Sequence, residues 1–206
     1  MLSQLRYFSL GGYKSLLIIP GYVSYVDSIM TPMPFDMIGK NIHELPCPNI
    51  PELLDALDIL GNIDSSRAII PWMASVKKPL PHFHEKAAVV SGTNVIQGIA
   101  IALNMHHVSL EGMTGDTNTN LNAKAQTALK LTKEYHLVIL HIGGCDEAAH
   151  RMNRVEKESF LSRVDEIVLT ELLASDHDIE VVSDHGVDPA TGRHIGGLQP
   201  AFRLYK

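Results

Sequence analysis

Residues 137–150 read LVILHIGGCDEAAH. Leu137 to Ile142 form a short, mostly apolar run rich in Ile, Val and Leu, the pattern of a buried strand. Gly143-Gly144 is a turn signal. Asp146 and His150 follow, four residues apart. If a helical turn begins here, both side chains point the same way. A carboxylate and an imidazole on one face suit a divalent metal. A strand that ends in a tight turn and polar ligands matches the way open α/β sheets build sites at the carboxyl ends of their strands.

Working outward, strands and helices alternate on both sides of this stretch. Upstream, Ala87–Ser91 (AAVVS) reads as a strand. Thr93–Leu103 places Val95, Ile96, Ile99, Ala100 and Leu103 at helical spacing. His107–Leu110 is a short strand. Asn120–Lys133 is a helix with Leu121, Ala125, Ala128, Leu129 and Thr132 on one face, and Asn118 or Thr119 is the expected cap. Downstream, Arg154–Leu173 is the longest helix, with Phe160, Leu161, Val164, Ile167 and Val168 as its apolar stripe. Ile179–Ser183 and Phe202–Tyr205 are further strands. Ala68–Met73 is a short strand ahead of a basic, proline-punctuated loop, residues 75–83. This alternation predicts an α/β domain over residues 66–206, a mainly parallel sheet with helices on both faces. Residues 1–65 read as a separate lobe. It holds strands at Leu5–Ser9 and Lys14–Ile19, an irregular stretch broken by Pro32, Pro34, Pro46 and Pro48, and a helix at Glu52–Leu60 with Pro51 in its first turn.

Composition narrows the partners. The 206 residues carry a net charge of −6, with 45% hydrophobic and 19% charged residues. No segment concentrates Lys and Arg, so nucleic acid and anionic membranes are not expected partners. No apolar run reaches the roughly 18 to 20 residues of a membrane span. Residues 1–13 (MLSQLRYFSLGGY) lack the pattern of a signal peptide. Cys47 and Cys145 form no disulfide framework, which fits a reducing cytoplasm. Cys145 reads as a small buried residue.

Two further motifs carry chemistry. Ser183-Asp184-His185-Gly186 directly follows the strand IEVVS. Adjacent residues point apart in an extended chain, so Asp184 and His185 can serve two neighbouring metals. His194 lies in the loop TGRHIGG. Asp146, His150, Asp184, His185 and His194 are oxygen and nitrogen donors without a thiolate, which points to Mn, Zn or Mg. A lone Asp-His pair is weak, but these motifs in this order are hard to explain as surface polarity. The remaining histidines have plainer readings. His82 and His84 are a chance pair, His106 and His107 a surface pair, and His141 a satisfied sheet histidine. Asp116 and Asn118 read as helix-capping residues.

The DEAAH, SDHG and later-His pattern resembles the alkaline phosphatase superfamily. More closely, the chain resembles the archaeal-type, cofactor-independent phosphoglycerate mutases. The similar stretches are TPMPFDMIGK (31–40), KKPLPHF (77–83), AVVSGTNVIQGIA (88–100), EGMTGDTNTNLNAKAQTAL (111–129), GGCDEAAH and SDHG. The resemblance implies an alkaline phosphatase-like core, incomplete on its amino-terminal side, plus the remnant of an inserted α+β cap lobe over residues 1–65. It implies that Asp146, His150 and His194 hold one metal, and that Asp184 and His185 hold part of a second. Lys77 or Lys78 would approach the phosphate or carboxylate of a phosphorylated small molecule, with Asp36 and Lys40 on the substrate side or at a hinge. The implied reaction interconverts 3-phosphoglycerate and 2-phosphoglycerate, in glycolysis, through a serine and without 2,3-bisphosphoglycerate. In such enzymes a metal-binding Asp and the serine precede the region where this chain starts. Ser75, Ser91 and Ser183 do not occupy the serine's position. The expectation is therefore a truncated member lacking the nucleophile, with an exposed edge where the first strand of the sheet would lie. Three alternatives stand beside it: a homoserine kinase-like phosphotransferase, a non-catalytic metal-binding remnant, and one half of a split enzyme. In the last, a partner chain supplies the missing segment. Self-association as a homo-oligomer is also left open.

Overall fold

The computed structural model describes residues 5–10, 14–20, 31, 37, 39–41, 44, 49–63 and 69–206. The chain forms two compact units, 1–78 and 79–206. In the first, β1 (Arg6–Ser9) and β2 (Ser15–Ile18) pair antiparallel, with Arg6 opposite Ile18. Helix α1 (Pro51–Ile63) starts on its proline, whose missing N–H costs nothing in a first helical turn. Leu53 and Ala56 are buried among its described side chains. The strand expected at Ala68–Met73 does not form over residues 69–73, and Ala68 lies outside the described residues. Pro71 cannot donate to a ladder, and Met73 has φ 50°, a left-handed conformation that ends extended chain.

In the second unit the order is β3 (Ala87–Val90), α2 (Asn94–Ala102), β4 (His106–Val108), α3 (Leu121–Leu131) and β5 (Leu137–Leu140). Then come α4 (Gly144–His150), α5 (Arg154–Arg163), a π-helical segment (Val164–Leu169) and α6 (Thr170–Ala174). Strands β6 (Ile179–Val182), β7 (Gly186–Asp188), β8 (Arg193–Ile195) and β9 (Ala201–Leu204) complete it. The central sheet is parallel, in the order β4-β3-β5. The chain runs outward from β3 to β4 and then crosses back over β3 to β5. Right-handed crossovers therefore put α2 and α3 on opposite faces. All four residues of β3 are buried accordingly. Val90, Met113 and Ala128 pack together on the α3 side. A second cluster joins Leu121, Ala125, Phe160 and Val168.

Several local readings need correction. The cap of α3 is Asn120, whose Oδ1 accepts from Ala123 N at 2.9 Å. Asn118 instead accepts from the Thr114 hydroxyl (2.7 Å), and Thr119 Oγ1 accepts from Thr114 N (3.0 Å), so both are spent on the preceding turn. The long helix runs from α5 to α6, but Leu161 is 57% exposed. Its stripe follows 160, 164 and 168, and the next residue along lies about 100° around the helix. The strand read as buried over 137–142 is four residues long and half exposed. Among the described residues β5 pairs with β3 alone, so its other edge is open, and Leu137 and Ile139, which share one face, are exposed. Strand β6 pairs antiparallel with β9, with Ile179 opposite Leu204.

Candidate metal centre

Two glycines bring α4 against the carboxyl edge of the sheet. A Cβ on Gly143 would lie 2.7 Å from the Gly115 carbonyl oxygen, and one on Gly144 would lie 2.5 Å from the Phe160 ring. With nothing there but hydrogen, only three residues separate the end of β5 from the start of α4. The first turn of α4 presents Asp146 and the last presents His150. Asp146 Oδ1 and His150 Nε2 are 3.3 Å apart, as the spacing of four predicts.

His150 is oriented from behind. Its Nδ1 lies 2.8 Å from the Gly192 carbonyl oxygen. A carbonyl only accepts, so Nδ1 donates, and the neutral ring keeps its lone pair on Nε2, toward Asp146. Gly192 can come this close because it sits at φ 67°, where a Cβ would press on the His150 carbonyl at 3.0 Å. Gly192 belongs to the turn between β7 and β8. Asp188 closes that turn, accepting from Ala190 N (2.8 Å) and from the Thr191 hydroxyl (3.0 Å). His194 is thus held in strand β8, opposite Val187, and is not in the loop its sequence suggested. Three-residue strands are too short to show a period of two.

The hairpin delivers His194 Nε2 to 3.1 Å from His150 Nε2. His185 follows β6 and stacks on His194 with ring centroids 4.1 Å apart. Its Nδ1 is 3.9 Å from Asp146 Oδ1, and its Nε2 is 3.3 Å from Asp184 Oδ2. Donor atoms of Asp146, His185 and His194 lie within 4.8 Å of one another. Asp184 stands outside this cluster, its side chain 78% exposed, on the far side of the His185 ring. The resemblance assigns His150 and His185 to different metals, whereas here both rings face Asp146.

A cation fits this arrangement. Asp146 Oδ1 and His185 Nδ1 are buried and make no hydrogen bond. Such atoms cost stability unless something satisfies them, and a divalent cation would satisfy both. The donors are oxygen and imidazole nitrogen. The neighbouring thiol of Cys145 packs against the Leu121–Phe160 cluster, and burial pushes its pKa up, so it stays protonated. The other expected site residues belong to the first unit. Lys40, Lys77 and Lys78 are exposed residues of the 1–78 unit, and Asp36 lies outside the described residues.

Three supporting groups escaped the sequence reading. Lys124 is fully buried on the apolar face of α3, its Nζ donating to the Thr114 (2.9 Å) and His141 (3.1 Å) carbonyls. Burial pushes its pKa down to about 8. The only signal was a lysine three residues after Leu121 in that stripe. Ser91, also fully buried, has its hydroxyl 3.1 Å from His141 Nδ1 and accepts from Thr93 N at 3.0 Å. The pKa of His141 is lowered by burial and then by the charge of Lys124, while the carboxylates of Asp184 and Asp146 oppose this. Arg151, next to His150, grips Asp116 with two hydrogen bonds (2.9 and 2.8 Å) and Glu156 with a third (2.7 Å). Asp116 was read as a cap; this contact, together with burial working the other way, leaves its carboxyl below the usual range.

A parallel sheet with helices on both faces, and a carboxylate and imidazoles gathered at its carboxyl edge, defines a metal-binding α/β domain. The sequence profile of the Metalloenzyme superfamily matches residues 71–198, and the chain belongs to that superfamily. Its fold is the alkaline phosphatase-like fold of that superfamily, and divalent-metal binding goes with it. Archaeal cofactor-independent phosphoglycerate mutases are homologues. The 2,3-bisphosphoglycerate-independent phosphoglycerate mutase of Methanosphaerula palustris is 36% identical over 115 residues, covering 56% of this chain and 28% of the relative. That of Sulfurisphaera tokodaii is 36% identical over 132 residues, covering 61% of this chain and 32% of the relative. The solved structure of the PH0037 protein from Pyrococcus horikoshii has a TM-score of 0.56 at 31% identity, covering 59% of this chain and 38% of that one. The matched part of the chain thus spans about a third of the length of these curated relatives.

Proposed function

We propose that this chain forms the metal-binding part of a cofactor-independent phosphoglycerate mutase-type metalloenzyme, acting on a phosphorylated small hydroxy acid. One observation carries the reading. Asp146, His150, His185 and His194 come from three separate segments and meet at one sheet edge, leaving buried donor atoms that a cation would satisfy. The 31–38% identity to mutases supports the substrate class. Asp146, His150, His185 and His194 would surround one ion, with Asp184, across the His185 ring, left for a second. The chemistry a divalent cation would supply there is stabilisation of charge on a transferring phosphoryl group and a lowered pKa for a hydroxyl nucleophile. His150 would stay a ligand in one tautomer because its Nδ1–H donates to the Gly192 carbonyl, which leaves the Nε2 lone pair for the ion. Lys77 and Lys78 supply positive charge for the substrate's phosphate or carboxylate, with Asp36 and Lys40 on the substrate side. The accepting serine comes from sequence outside the segment shared with the relatives, on the same polypeptide or on a partner chain. The setting is a cytoplasmic one, with 2,3-bisphosphoglycerate not required. No helix among the described residues is long and apolar enough to cross a membrane.

The test is metal retention and turnover. Chain equilibrated with Mn or Zn and then desalted is expected to keep bound metal. His150→Ala and His194→Ala each lose it, while Cys145→Ala does not. Conversion of 3-phosphoglycerate is expected once the remaining portion of a curated relative is supplied as a second polypeptide. Equal metal affinity in all three variants would sink the site. Metal binding without conversion in the reconstituted pair would sink the mutase assignment.

A further inference from the structure

The β7–β8 hairpin carries His194 to the centre, yet it is a short ladder of three residue pairs. Such a ladder does not hold a ligand in place by itself. Two side chains from the preceding helical region clip it, both through main-chain oxygens. His150 Nδ1 donates to Gly192 at the turn, and Lys157 Nζ donates to Val187 at 2.8 Å. Val187 is the residue directly opposite His194 in the register. Val187 is itself buried, at 5% exposure, so its carbonyl sits where water competes little for the bond.

Lys157 is well placed for this. It lies one turn into α5, is half buried, and reaches β7 through its Nζ. It therefore stands where α5 and the hairpin meet. The other basic residue early in α5, Arg154, turns away and pairs with Glu158 at 2.7 Å, 76% exposed. We infer that Lys157 is a positioning residue for the metal centre: its bond to the Val187 carbonyl fixes β7, and through the ladder sets where His194 meets His150 and Asp146. This rests on the proposed metal site. An ammonium holding the main chain of β7 steadies the hairpin beside its one buried apolar residue, Val187; Ile195, next to His194, is 52% exposed.

The experiment compares Lys157→Met, Lys157→Arg, Arg154→Ala and His194→Ala. It uses Mn or Zn titrations of the full chain and hydrogen exchange of the β7–β8 amides without metal. In Lys157→Met, metal affinity is expected to fall about tenfold, within the range seen when groups that orient metal ligands are removed. Hairpin exchange should quicken while the β3 amides stay protected, which excludes global unfolding. Lys157→Arg restores both, since a guanidinium also donates to a carbonyl, and Arg154→Ala changes neither. Unchanged metal affinity in Lys157→Met overturns the inference, whether or not the hairpin loosens, provided that His194→Ala does lose affinity. If His194→Ala binds metal like the wild type, it is the metal site itself that fails.

Discussion

Lys124→Met should change how stability depends on pH. The lysine is 0% exposed, and its ammonium is held by the carbonyls of Thr114 and His141. Neither carbonyl carries a charge to offset the ammonium, so burial lowers its pKa from 10.5 to about 8. Below about pH 8 both folded and unfolded chains hold the proton, and the folded state bears the full cost of the buried charge. Between about 8 and 10.5 the unfolded chain binds more protons than the folded one, so stability rises with pH. Above 10.5 the cost is gone. At about 1.4 kcal/mol per pKa unit, the span is on the order of 3 kcal/mol.

Methionine keeps an unbranched side chain and removes the charge. It also leaves two carbonyls without a donor, which costs about 1 to 3 kcal/mol. At neutral pH the two effects nearly cancel, and the variant should be within about 1 to 2 kcal/mol of the wild type. By pH 10.5 the wild type should have gained about 3 kcal/mol over the variant. Urea unfolding followed by far-ultraviolet circular dichroism, with chelator present and at half-unit pH steps, reads this directly. Taking the difference between the two proteins cancels every other titrating group. A difference that stays flat from pH 7 to 10.5 would refute the reasoning, since it would mean that Lys124 is charged and fully compensated in the fold.

Gly144→Ala should cost about 1 to 3 kcal/mol by overpacking, because its Cβ would fall 2.5 Å from the Phe160 ring, and metal affinity should fall with it as α4 is pushed off the sheet edge; urea midpoints and a Mn titration check both. Ser91→Ala leaves His141 Nδ1 and Thr93 N without their shared hydroxyl and should lower stability by about 1 to 3 kcal/mol, read from thermal unfolding. Arg151→Met breaks its contacts to Asp116 and Glu156 but should cost no more than about 1 kcal/mol, since the pairs are solvent-screened. The Asp116 carboxyl is held low in the wild type, so the small stability it lends is present above the ordinary carboxylate range and lost as pH falls below it. Arg151→Met should flatten that acid limb.

What could be read from the sequence divides along the range of the interactions. Asp146 and His150 were legible because a spacing of four fixes their relation within one helix, and the ion-pair distance follows from it. The strand before them was legible from its apolar run, though not its burial, because how much of β5 is covered depends on which strand lies beside it. The placement of Asp184 and His185 after a strand was equally plain. Which of them would face Asp146 was not, since that depends on how the chain turns after β6. His194 illustrates the limit best. Its loop-like surroundings, with glycines at 192, 196 and 197, conceal a strand whose existence depends on pairing with β7 and on clips from His150 and Lys157. Asp116 looked like a cap because caps are local; beyond accepting from the adjacent Thr117 N, it is gripped by Arg151, 35 residues away. Lys124 sits in an apolar stripe, and nothing nearby in sequence reveals that its ammonium ends among carbonyls. The ligands themselves are thus short-range features, while the groups that aim them are long-range. Substitution at Lys157 would therefore alter the centre without touching any residue that a motif search would single out.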